Sequence, residues 1–203
     1  MISHQKEITR VSLCLHLITH ILMYGFEISL PENFAWNYIH DYLTQNPKEL
    51  LHVSDGDWLY RWLDNGLEGG TVFRAKVEAE LNVARIEVLE GGQEDGAMIK
   101  NFVEEWWDLK RDLSDFSEKV KTDAILRPLA RRNPGLRIGG IPDLWECAVW
   151  SIVGQQVNIS FASTLKSRLI ENFGKRREWD SFSLWQFPKR EKIAAMTPDD
   201  LKA

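Results

Sequence analysis

The chain has 203 residues, of which 44% are hydrophobic and 27% charged, a composition that excludes disorder, collagen or coiled coil for the bulk of it. No apolar run reaches the ~18–20 residues of a membrane-spanning helix. The net charge of −5 is unevenly spread: residues 1–120 hold 11 Lys and Arg against 21 Asp and Glu, and residues 121–203 hold 14 against 9. That swing predicts two units with different surfaces. The basic half is either a solvated helical face or a track for a phosphate backbone. Cys14 and Cys147 lie far apart, make neither a metal-ligand pattern nor a disulfide framework, and suit a reducing, cytoplasmic setting.

In residues 1–22, Lys6 and Arg10 precede an apolar run that His16 and His20 interrupt, and no small-residue cleavage site follows. The segment reads as an N-terminal extension, either an early start codon or an added amphipathic helix. Residues 26–30 alternate as an edge strand, and Asn33 is the expected cap of a helix over 34–45 that Asn46-Pro47 stops. Residues 52–55 form a short strand before the turn Asp55-Gly56-Asp57. In 58–63, Trp58, Tyr60 and Trp62 face one way and Leu59, Arg61 and Leu63 the other. Strands over 71–80 and 82–89 follow, joined near Leu81-Asn82, and Gly91-Gly92 closes the region.

The period then becomes helical. Met98, Phe102, Glu105, Trp106 and Leu109 predict a helix that Leu113, Phe116 and Val120 carry on, with one of Trp106 and Trp107 in the core and the other partly exposed. A helix over 123–132 ends at Asn133-Pro134-Gly135. Asp143, with Glu146 three residues later, caps a helix to about residue 153. The next begins near Ser160, presents Leu165, Leu169 and Phe173 on one face, and ends at Gly174. Lys175-Arg176-Arg177 sits after that helix end, where it complements the dipole or meets phosphates. A short helix over 189–196 precedes Thr197-Pro198-Asp199-Asp200, a helix start with three residues after it. The organisation expected is α+β: an extension over 1–22, an antiparallel unit over 23–92, and a helical unit over 93–203 that is truncated. Truncation predicts uncovered apolar faces at Val149, Ile152, Leu165 and Leu169 and low solubility.

The richest stretch runs from Asn133 to Gly174. It holds Pro134-Gly135-Leu136-Arg137, Asp143-Leu144-Trp145-Glu146 and Ile152-Val153-Gly154-Gln155-Gln156-Val157. Gly154-Gln155-Gln156 ends one helix and turns into another. Two glutamines at an exposed elbow offer amides that could enter a nucleic-acid groove or fill the place of a base that has left the stack. Taken alone, the tripeptide is also a helix-ending glycine followed by two surface glutamines.

The order and spacing of the whole stretch resemble the DNA-3-methyladenine glycosylase II family of the helix-hairpin-helix DNA glycosylase superfamily. The segment from Phe187-Pro188 to Leu201-Lys202-Ala203 is similar to the part of that family leading into its hairpin. Trp36, Tyr42-Leu43, Val53 with Asp55, and Arg61 extend the resemblance to a first domain like half of a TATA-binding protein. It covers roughly residues 23–203. The resemblance implies base-excision repair: duplex DNA containing an alkylated base is bent, the base is flipped into an aromatic pocket, and an aspartate assists cleavage of the N-glycosidic bond. It implies DNA contacts by Gln155, Gln156, Asn158 and Arg137, and a base pocket near Tyr42, which is otherwise a sheet-packing tyrosine. Arg137 either approaches a phosphate or braces the linker. Gln156 stands where a member of the family has a leucine wedge. No catalytic residue is nominated, since the resemblance puts the hairpin and its aspartate beyond Ala203. The resemblance implies a hairpin that holds a DNA phosphate, commonly with a monovalent cation; no cofactor and no metal-ligating residue is nominated in this chain. The complete protein is expected to be a cytoplasmic monomer without a membrane partner, and this chain to be inactive alone. A non-catalytic DNA- or protein-binding remnant and an 8-oxoguanine glycosylase relative remain alternatives.

Overall fold

The computed structural model describes residues 24–202, so the readings made for 1–22, including His16 and His20, lie outside the described residues. Strands β1 (Tyr24–Ser29), β2 (His52–Asp55), β3 (Trp58–Leu63), β4 (Thr71–Glu78) and β5 (Val83–Glu90) form one antiparallel sheet in the order β1-β5-β4-β3-β2. The β4–β5 connection is a 3-10 turn closed by Asn82 in the left-handed conformation at φ 51°, which asparagine tolerates better than most residues.

Alternation along β3 decides how the sheet is covered. Leu59 and Leu63 face a core that includes Phe73, Ile86, Ile99 and Val103. This core is closed by helices α1 (Trp36–Thr44) and α2 (Gly96–Trp106). Trp58, Tyr60 and Trp62 face the opposite side. There an antiparallel hairpin, β6 (Lys175–Trp179) and β7 (Phe182–Gln186), lies over the sheet with Leu184 fully buried. The sequence reading did not contain this hairpin. Its turn carries Asp180 at φ 48° and no glycine, so the usual signal was missing.

Further differences have local causes. Asn33 is not the cap of α1. It sits at φ 60°, and the helix starts at Trp36 behind Ala35 with no side-chain cap bond. The helical period over 98–120 is broken at Asp108, φ 55°, so α2 ends and a separate α3 (Ser114–Thr122) follows. Trp106 and Trp107 are both core residues, 3% and 0% exposed, because Trp107 turns inward at the helix end and packs on Trp36 at 4.6 Å between ring centroids. Helix α4 (Leu126–Arg132) starts later than expected, since Asp123 accepts bonds from the Ile125 and Leu126 amides ahead of it. Helices α5 (Leu144–Val153), α6 (Ile159–Phe173) and α7 (Arg190–Ala194) follow the reading closely, and the described chain ends in a 3-10 turn, Asp200–Lys202, capped by Thr197. The buried face of α6 is Ala162, Ser163, Lys166 and Ile170, with Leu165, Leu169 and Phe173 half-buried beside it. Val149 is buried, whereas Ile152 is exposed.

Lys175, Arg176 and Arg177 are strand residues rather than a helix-end cluster. Arg177 forks onto Glu90 at 2.6 Å for each bond and lies near the Trp62 and Trp179 rings, while Arg176 pairs with Glu178. Two of the three charges are therefore already neutralised.

Candidate nucleic-acid interface

The α5–α6 hairpin follows from its caps. Asp143 accepts a bond from the Glu146 amide at 2.6 Å and starts α5. Gly154 ends it, and Gln156, at φ 58°, reverses the chain. Asn158 then accepts from the Phe161 amide at 2.9 Å and starts α6. All residues from Gly154 to Phe161 are exposed. The side chains of Gln155 and Gln156 make no hydrogen bond among the described residues, so their amides are free for a ligand. Ile152 (65% exposed) and Ile159 (78%) flank them. The tip is thus a pair of amides set among apolar side chains, a mixture suited to base edges and base faces together. Ile152 is among the residues that the sequence analysis expects to be uncovered; Ile159 is not, since it fits a buried helical face equally well.

Of the residues nominated from sequence, the structure brings together Gln155, Gln156 and Asn158, with the Asn158 carbonyl oxygen spent on capping. Arg137 lies elsewhere. Its guanidinium donates to the carbonyls of Asp108 and Arg111 and braces the α2–α3 connection. Tyr42 is on α1 and 59% exposed, which is not a sheet-packing position. It faces the backbone of Gly139, in the linker that follows Pro134-Gly135-Leu136-Arg137. Gly135 docks that linker on α1: its carbonyl accepts from the Ala35 amide, and at φ 72° a Cβ would meet the Asn33 carbonyl.

Beneath the elbow lies a run of buried charges. Arg61 of β3 donates to Glu146 at 2.8 Å. Lys166 of α6 donates to Glu146 at 2.9 Å and to Glu49 at 3.0 Å. These four side chains are only 5–15% exposed. Burial pushes the Glu49 carboxyl up, but the Lys166 ammonium, His52 and the Leu51 amide outweigh it and bring it to about 2. Burial holds His52 below its ordinary value, and its ring bonds the Leu43 carbonyl. Asn46 to Ser163, Lys48 to Thr164 and Ser167 to the Lys48 carbonyl complete the seam between α6 and the segment after α1. Glu49 and Lys166 were not singled out from sequence. The available signals were Arg61 on the core side of β3 and Lys166 one turn from Ala162.

Among the described residues, no three His, Cys, Asp or Glu side chains converge as metal ligands, and no helix is long and apolar enough to cross a membrane.

No protein-family model matches the chain. It is 37% identical over 180 residues to a Bacillus subtilis protein named DNA-3-methyladenine glycosylase, a match spanning 86% of this chain and 58% of that one. The chain belongs to the DNA-3-methyladenine glycosylase family. Its fold is also that of a 3-methyladenine DNA-glycosylase from Archaeoglobus fulgidus, with a TM-score of 0.72 at 20% identity over 87% of this chain and 60% of that one. An 8-oxoguanine glycosylase/lyase from Clostridium acetobutylicum, in complex with double-stranded DNA, shares the fold with a TM-score of 0.59 at 18% identity, over 89% and 58% of the two chains. The chain therefore spans somewhat over half the length of each of these family and fold relatives.

Proposed function

We propose that this chain serves base-excision repair of DNA, as the part of a 3-methyladenine-type glycosylase that carries the sheet and the DNA-entering elbow. The observation that carries the reading is the Gly154–Asn158 elbow, with two unengaged glutamine amides in an apolar rim, in a chain 37% identical to a relative named for this activity. The glutamines enter the duplex beside the displaced base, where an amide can bond the edge of the base left without a partner. The substrate class is an alkylated purine, whose electron-poor ring favours aromatic faces, and exposed Tyr42 is the candidate pocket wall. The partner is double-stranded DNA, and the protein works as a cytoplasmic monomer.

This reading assigns cleavage of the sugar bond to none of the acids described above. Glu49 and Glu146 are locked in ion pairs, and Asp200 is engaged by Thr197. On this reading the 203 residues alone bind damaged duplex without cleaving the glycosidic bond. Two assays on the purified chain test this. In a salt-titrated binding assay, a duplex with an abasic analogue should bind about tenfold more tightly than an intact one. Gln155→Ala/Gln156→Ala should remove that preference. Equal binding to both duplexes contradicts the reading, and release of free methylated purine contradicts the assignment of chemistry elsewhere.

A further inference from the structure

We infer that the buried run Glu49–Lys166–Glu146–Arg61 is the positioning device of the elbow: its alternating charges fix the height and angle at which α5 and α6 present Gln155 and Gln156. The inference rests on the elbow being the DNA-contacting element.

The elbow is not held by packing of its own, since every residue from Gly154 to Phe161 is exposed. Its placement comes from the helices below. Helix α5 buries Glu146 and Val149, and α6 buries Ala162, Ser163, Lys166 and Ile170. The apolar part of this contact is Val149, Ala162 and Ile170, and because apolar burial is non-directional this part could slide. The charged part cannot. Glu146 gives one oxygen to Arg61 and the other to Lys166, so it stands between the sheet and α6. Both ends of the run are anchored in the sheet unit. Arg61 lies within β3, and Glu49 is held by the Leu50 and Leu51 amides just before β2. A slip of one helical turn, about 5.4 Å, would strand a buried charge without its partner. Glu146 lies eight positions before Gly154, about 12 Å below the tip, so a small rotation there is magnified at the glutamines.

Buried ion pairs are often no more stabilising than apolar side chains of the same size, and their best-attested use is to fix register. That distinction makes the role testable. The quadruple variant Glu49→Gln/Arg61→Met/Glu146→Leu/Lys166→Met, which leaves no charge of the run behind, should melt cooperatively at or above the temperature of the unmodified chain. The side-chain amide NMR signals of Gln155 and Gln156, single and sharp in the unmodified protein, should broaden or split in the variant. Preference for the abasic duplex should fall about tenfold, and adding Gln156→Ala to the quadruple variant should cost nothing further. If the quadruple variant does not melt cooperatively, Glu49→Gln/Lys166→Met, which keeps the Arg61–Glu146 pair, should show the same broadening to a lesser degree. Unchanged glutamine signals in a folded variant overturn the inference whatever the DNA assay shows. A lack of abasic preference in the unmodified chain, with glutamine signals that do respond to the variant, overturns the DNA reading instead and leaves the positioning role standing.

Discussion

Glu146 occupies the third position of α5, where a glutamate commonly reaches back to its own helix cap. Here only half of that exchange forms. Asp143 accepts from the Glu146 amide, and the Glu146 carboxylate turns instead to Arg61 and Lys166. Removing its charge leaves the Arg61 guanidinium without a carboxylate, and Lys166 with Glu49 alone, in a site nearly closed to water. Glu146→Gln should therefore destabilise the chain by about 3–5 kcal/mol, as read by urea unfolding. A change below 1 kcal/mol would mean that water reaches the pair. Glu49 gives a pH signature. Its carboxyl lies at about 2 in the folded chain against an ordinary 4.5, so the unfolded state binds the proton more tightly. The stability it contributes is complete above about pH 4.5 and is lost as pH falls toward about 2. Glu49→Gln should flatten the acid limb of the stability profile in that window, and an unaltered limb would show that Lys166 does not hold Glu49 charged.

At the scale of elements, the elbow and the hairpin carry different loads. Gln156 pays for its place with a left-handed backbone at φ 58°, a conformation glycine adopts freely. Gln156→Gly should raise stability by about 0.5–1 kcal/mol while lowering preference for the abasic duplex, separating the backbone of the residue from its amide. Loss of both would place the amide in the fold rather than in recognition. The hairpin β6–β7 is held on the sheet by Leu184, which is fully buried against Tyr60, Trp62 and Val72. Leu184→Ala should cost about 2–5 kcal/mol in the same unfolding assay, and a cost under 1 kcal/mol would contradict a packed outer face. The strands β1 to β5 were legible in sequence because alternation and Gly or Asn turns agree there, and α5 and α6 because Asp143 and the 154–158 turn mark their ends. The β6–β7 hairpin was not legible. Lys-Arg-Arg-Glu after a helix reads as a charged tail, and what makes it a strand is a sheet face more than 80 residues earlier. The break at Asp108 was hidden for a related reason. Helical spacing of apolar residues continues across it, and only tertiary packing of Trp107 stops the helix.

For the whole molecule, the charge asymmetry acquires a structural meaning that composition left open between solvation and phosphate binding. Cations of the second half are drawn onto acids of the first: Arg177 onto Glu90, Lys166 onto Glu49 and Lys189 onto Asp64. Three of the second half's fourteen cations thus hold the hairpin, α6 and the segment before α7 against the sheet unit. The candidate site was legible to the extent that it is local: Gln155, Gln156 and Asn158 come together on one turn. Arg137 and Tyr42 depended on where the linker after α4 runs, and the structure puts Arg137 under the α2–α3 connection. The exposed apolar residues Ile152 and Ile159, on either side of the turn, leave the elbow in a greasy setting that favours insertion between bases.

Entry of the two glutamines into the base stack is the claim on which this account turns, and base stacking can be read directly. A duplex carrying an abasic analogue, with 2-aminopurine in the strand opposite, reports local unstacking by its fluorescence. Saturating the duplex with the chain should raise that fluorescence, and Gln155→Ala/Gln156→Ala should return it close to the free-duplex value at equal occupancy. Saturated binding with no change in fluorescence, or a change that survives the double substitution, would contradict the account.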